Sequence, residues 1–248
     1  MAIESHHITV SGLNVEVVRK DIKNLHLGVY PPHGRVRVAV PLLVTDEAVR
    51  LAVIEKLPWI RRQQMKFQNQ PRQSQREMVN AESHYYLGQR YRLRVTERPG
   101  AAMVAVNAVT YLDLFVRPGT TQEQRGEILS KWYRVQLKLL ILPLLEKWQS
   151  VLAVQVAAWV VKKMKTKWGS CNPSSRRILF NLELVKKPEQ CLEYIVVHEL
   201  AHLVHRTHGE EFIAMMDTHL PHWRMTRELL NSMPLGHDEW GPGSYLEE

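Results

Sequence analysis

Alternation dominates the start of the chain. "HITVSGLNVEVVRK" (His7 to Lys20) switches between apolar and polar positions on either side of Gly12-Leu13-Asn14, which predicts a β-hairpin turning there. "RVRVAVP" (Arg35 to Pro41) puts Val36, Val38 and Val40 on one face of a second strand region, after a loop signal at Pro31-Pro32-His33-Gly34. The period then lengthens. Thr45-Asp46-Glu47 can start a helix, because Thr45 can cap and acids suit the first turn. Val49, Val53, Leu57 and Ile60 follow at helical spacing, with Pro58 expected to break or kink the run. Gln68 to Glu77, "QNQPRQSQRE", offers almost nothing to bury and reads as a linker or an exposed helix tail.

Beyond the linker the pattern starts again. "HYYLGQRYRLRV" (His84 to Val95) predicts two short strands around Leu87-Gly88, and "MVAVNAVTYLDLFV" (Met103 to Val116) predicts two more. Thr121 opens a long helix with an expected apolar stripe of Ile128, Trp132, Val135, Leu139 and Leu142, interrupted at Pro143. "AWVVKKMKTKWGSC" and "RRILFNLELV" read as strands joined by a turn at Asn172-Pro173-Ser174-Ser175. Pro188 suits the first turn of the next helix, Pro221 ends the one after it, and Trp223 to Asn231 forms a last one. The expected division is a β-rich N-terminal region with a basic helix at residues 1–76 and a second domain at 77–248.

Composition narrows the class. With 248 residues and 45% hydrophobic content, the chain can build a substantial core. No apolar run is long enough to span a bilayer, since Leu137 to Leu145 is short and contains Lys138 and Pro143. The start lacks a basic segment followed by an apolar block, and Cys171 and Cys191 are too far apart for a CxxC clip, so a reduced, cytoplasmic setting is expected, without a membrane. The formal net charge of +8 fits a basic soluble protein. It also fits nucleic acid or a phosphorylated ligand, contacted through the basic N-terminal half, where Arg61, Arg62, Lys66, Arg72 and Arg76 gather; a second knot is "KKMKTK" at Lys162 to Lys167.

The chemistry is concentrated in "VVHELAHLVHRTHGEEF", Val196 to Phe212. His198-Glu199-Leu200-Ala201-His202 is an HExxH motif. Four residues apart on a helix, both imidazoles project from one face and can reach one metal, with Glu199 beside it as a base for an activated water. Burying such groups after an apolar lead-in would be costly without a metal, and imidazole ligation suits zinc. Two ligands do not complete a site. His205, His208, Glu210 and Glu211 are the candidates for the third. His205 lies about two turns along the helix from His198, far for one metal. His208, ten positions after His198, is favoured, because a chain leaving the helix near His205 can fold it back. His205 is then a residue that supports a ligand, a substrate contact or a solvated side chain.

"HELAHLVHRTHGEEF", together with "TKWGSC", "LFNLELV" and Pro221-His222-Trp223, resembles the YgjP-like metal-dependent hydrolases, which are related to SprT-like zinc metallopeptidases. "VAVP", "PWIRRQ" and "YYLGQRYRL" extend the likeness over most of the chain. The resemblance implies an α+β fold with a zincin-like core, a small sheet packed on helices, one of which carries HExxH. It implies one zinc ion per chain on His198, His202 and His208, with Glu199 as general base. It also implies substrate binding along a sheet edge, for which "ILFNLEL" is the candidate, with Asn181 and Glu183 sharing a face. Trp168 and Cys171 are expected to be structural. Three functions stay open. The first is a zinc metallopeptidase acting on peptide or protein. The second is a nucleoside-triphosphate (UTP) pyrophosphatase using the same site, as assigned to members of the family, although no Gly-rich cradle is present. The third is a non-enzymatic partner or DNA-associated subunit that uses the basic N-terminal half.

Overall fold

Residues 4–30, 34–69, 76–107, 110–164 and 167–233 are described by the computed structural model. The chain divides between Pro71 and Arg72 into two compact units. The expected linker at Gln68 to Glu77 and the loop at Pro31 to His33 lie mostly outside the described residues.

In the first unit, strands β1 (Glu4–Val10), β2 (Leu13–Lys20), β3 (His26–Tyr30) and β4 (Arg35–Pro41) form a sheet in the order β1-β2-β4-β3. The first hairpin turns at Ser11-Gly12, one residue earlier than its sequence suggested. Both residues have positive φ, 48° and 78°, as a two-residue turn between twisted strands requires. Val36, Val38 and Val40 do share one face. They are buried with Val15 and Val17 against Val49, Val53 and Ile60 of helix α1 (Asp46–Asn69). The helix runs unbroken through Pro58.

The second unit holds the larger core. Strands β5 (Ser83–Tyr86), β6 (Gln89–Glu97), β7 (Met103–Asn107) and β8 (Tyr111–Val116) pair in the order β5-β6-β8-β7. Helix α2 (Gln122–Val151) packs on them, opened by a reciprocal cap between Thr121 and Gln124. Its buried stripe is Leu129, Tyr133, Leu137, Ile141, Leu145 and Trp148. This corrects the expected one: Val135, Leu139 and Leu142 are 54%, 61% and 48% exposed. The helix is apolar almost all round, so periodicity alone could not choose its face. Pro143 does not divide it, and the carbonyl it would leave unpaired belongs to the exposed Leu139, where water can satisfy it.

Strands β9 (Ala158–Lys162), β10 (Gly169–Asn172) and β11 (Arg177–Asn181) form a small sheet in the order β10-β11-β9, antiparallel to β10 and parallel to β9. The "ILFNLEL" stretch is therefore not a sheet edge. β11 is the central strand, and at Asn181 the chain enters a 3-10 turn, Leu182–Lys186. Helix α3 (Glu189–Ala201) then runs through the core, with Cys191, Leu192, Tyr194 to Val197 and Glu199 to Ala201 all buried. Helices α4 (Glu210–His219) and α5 (Trp223–Ser232) follow. The fold is α+β, with small sheets and five α-helices among the described residues. None of these helices is long and apolar enough to cross a membrane.

Candidate metal centre

The end of α3 assembles the site. His198 occupies its last turn and His202 caps it, still in helical conformation, so the two rings sit 4.9 Å apart on one face. The chain then leaves the helix. The His205 N–H donates back to the Ala201 carbonyl at 2.9 Å, and Gly209 begins α4. This short excursion returns His208 to the other two, with ring centroids 5.0 Å from His198 and 4.7 Å from His202. One ring nitrogen from each of the three lies within 4.8 Å of the other two. Phe212, on the first turn of α4, is buried between them at 5.1, 4.9 and 4.8 Å from the three rings.

The donor set fits a metal. Nε2 of His208 and Nε2 of His198 face each other at 3.1 Å. Two nitrogens bound tetrahedrally to zinc would stand roughly 3.3 Å apart, given bonds of about 2.0–2.1 Å. The Nδ1–H of His202 donates to the His205 carbonyl at 3.1 Å, which leaves its Nε2 lone pair for a ligand role. Two of the rings are also biased toward the neutral form. Burial, reinforced by the neighbouring His202 and His208 and by Arg227, pushes His198 down to about 3. Burial first and then His202 also lower His208. A neutral imidazole is the form that binds a metal. Nδ1 of His198 is buried without a hydrogen-bond partner among the described residues.

Glu199 is 4% exposed, and burial lifts its carboxyl to about 8, opposed by the charge of Lys167. Gly169 of β10 lies against it: a Cβ there would stand 2.5 Å from Glu199 Oε1. The Trp168-Gly169-Ser170-Cys171 element thus bears on the acid of HExxH, and only a residue without a side chain allows that approach. The Cys171 thiol, raised to about 11 by burial and by Glu199, is not a nucleophile at neutral pH.

The YgjP-like, metallopeptidase domain family model matches residues 23–233, most of the chain. The chain belongs to the YgjP-like family. No curated protein matches it. Among solved structures, the crystal structure of the metallopeptidase zymogen of Pyrococcus abyssi abylysin is similar at 24% identity, with a TM-score of 0.32, over 35% of this chain and 85% of that one.

The remaining site candidates of this YgjP-like chain have other employment. Asn181 is 5% exposed; its amide donates to the Met164 and Lys167 carbonyls and its oxygen accepts from the Glu183 N–H, so it ties the segment after β9 to the 3-10 turn. Both carboxylate oxygens of Glu183 accept from Lys186 at 2.8 Å. Neither residue lies on a sheet edge. His205 serves through its carbonyl, while its ring pairs with Glu211 at 3.2 Å. Two residues that motif reading passed over act on the histidines. Tyr194, one helical turn before His198, sits edge-on to it at 5.7 Å and stacks on Trp223 of α5 at 6.2 Å. The charge of Arg227, also on α5, is a lesser influence that lowers the pKa of both. The four-residue spacing from Tyr194 to His198 was a visible signal; Arg227 had none. Nucleic-acid contact finds no support in the family match or in this geometry.

Proposed function

We propose that this chain is a zinc-dependent peptidase whose site is His198, His202, His208 and Glu199 on a zincin-like core. The convergence of three imidazoles beside one buried carboxylate carries the reading, and membership in a metallopeptidase family supports it. Bound by the three histidines, zinc would supply Lewis acidity for activating water and polarising a carbonyl. Glu199 takes the proton from the attacking water and returns it to the leaving amine. A carboxyl lifted by burial to about 8 suits both halves of that task near neutral pH. Phe212 packs among the three rings and restrains them. The substrate pairs along β10, one of the two outer strands of its sheet, whose Gly169 lies against Glu199.

The test is hydrolysis by the zinc-loaded protein, measured in parallel on a peptide library and on UTP, with Glu199→Gln as control. Peptide cleavage lost in the variant while zinc is retained supports the proposal. Pyrophosphate release from UTP that depends on Glu199, with no peptide cleaved, replaces it with a nucleotide hydrolase.

A further inference from the structure

"PWIRRQ", Pro58 to Gln63, has no part in the metal centre. It belongs to the first unit, where it borders a groove between helix α1 and strand β3. Val49, Val53 and Ile60 take the buried face of α1. Glu55, Trp59 and Arg62 stand four and three positions apart on the flank beside that face, with Lys56 next to them. This flank lines the groove opposite Leu25 and Leu27. The floor is apolar and open: both leucines are half-buried, and the Trp59 side chain is 36% exposed. Leu27 lies on β3, so the groove runs beside that strand. β3 is an outer strand of its sheet, and no strand among the described residues pairs with its other side. Such a strand offers a row of backbone N–H and C=O groups along its open side. The rim is positive on balance. Lys56 and Arg62 line it, Arg61 adds an exposed cation beside them, and Glu55 is the one acid. The Glu55–Lys56 pair, 3.1 Å apart, is exposed and screened by water, so it leaves Lys56 available to a partner.

We propose that this groove docks an extended segment of a partner protein, added to β3 as a fifth strand, with an apolar side chain against Trp59 and an acidic one at Arg62. Alternate side chains of an added strand point to one face, where apolar ones meet Leu25, Leu27 and Trp59. Main-chain hydrogen bonds to β3 supply affinity, and the groove supplies the choice of side chains. A guanidinium at the rim suits a carboxylate, which it can hold with two parallel bonds. The apolar floor favours a peptide over a nucleic acid, whose phosphates need cations along the whole track. None of these residues belongs to the metal centre, so the docking site stands apart from the peptidase reading.

The experiment titrates the full chain into fluorescein-labelled octapeptides and follows anisotropy. The peptides carry apolar residues at alternate positions and Glu, Gln or Lys at the others. The Glu peptides are expected to bind about three- to tenfold more tightly than the Gln peptides, and the Lys peptides most weakly. Trp59→Ala should weaken binding of the Glu peptides about tenfold or more. Arg62→Glu should remove the preference for Glu over Lys, and both variants should keep Tm within a few degrees of wild type. N-methylation of one alternate set of peptide amides, the set that faces β3, should abolish binding, while methylation of the other set should not. Absence of binding by any peptide at millimolar concentration, or binding unchanged in Trp59→Ala, overturns the proposal. Equal tolerance of methylation in both sets overturns the pairing with β3. Tighter binding of a single-stranded DNA oligonucleotide, lost in Arg62→Glu, replaces the peptide with a nucleic acid. Self-association of the chain in light scattering, lost in Trp59→Ala, replaces it with a second copy.

Discussion

Replacing Gly169 by alanine tests whether the WGSC element serves Glu199. The strand conformation at Gly169 is open to any residue, so the backbone is not strained by the change. What changes is space. The added methyl group would stand 2.5 Å from Oε1, 2.7 Å from Cγ and 2.8 Å from Cδ of Glu199, about 0.9 Å short of the 3.4 Å at which ordinary contact begins. The carboxylate end of Glu199 is the part that can yield, and yielding carries it away from its place beside the histidines. A misplacement of about 1 Å typically costs about 100-fold in rate. That is about 2.7 kcal/mol of barrier. Overpacking should lower stability by only about 1–3 kcal/mol, because a side-chain terminus moves rather than the backbone. The assay is kcat and KM on the substrate that the wild type hydrolyses, with zinc stoichiometry and Tm measured on the same samples. The expected result is a large loss in kcat with zinc retained and a fall in Tm of a few degrees. A kcat within about twofold of wild type would show that Glu199 tolerates the methyl group in place, and the steric argument would be wrong.

Three further outcomes follow from the same structure. His202→Ala should empty the proposed metal site, because it removes both a proposed ligand nitrogen and the hydrogen bond to the His205 carbonyl; stoichiometric zinc in the purified variant, read by elemental analysis, would contradict the ligand set. Lys187 is 3% exposed, and burial above all lowers its pKa from 10.5 to about 8. In that window the unfolded chain holds the extra proton, so stability rises with pH from about 8 to 10.5, and the penalty is complete below it. Urea midpoints of the wild type should therefore improve relative to Lys187→Met across that range, by up to about 3 kcal/mol; parallel pH profiles would refute the shift. On α2, Leu137→Ala should cost about 2–5 kcal/mol. Leu139→Ala, at an exposed position, should cost within about 0.5 kcal/mol. Similar losses of Tm in the two variants would restore the other face of the helix as the core.

Strictly local patterns were enough for much of this chain. Alternation in "RVRVAVP" marked the buried valines, because a strand's period of two leaves one face to the core whatever lies opposite. HExxH placed two imidazoles on one helical face for the same kind of reason: the turn of an α-helix is set by the backbone alone. Where the apolar signal ran all round, as on α2, periodicity had no preferred face, and the choice of Leu137 over Leu139 was made by what the helix packs against, α3 and the 3-10 turn as well as the strands. "ILFNLEL" read as one strand because its residue types suit a strand. That it sits between β9 and β10 and turns at Asn181 is a matter of pairing partners and of side-chain bonds to distant carbonyls. The contact of Gly169 with Glu199 and the stacking of Trp223 on Tyr194 join residues thirty and twenty-nine positions apart in sequence. No local period encodes such distances; they exist only once packing has brought the strand and the last helix against α3.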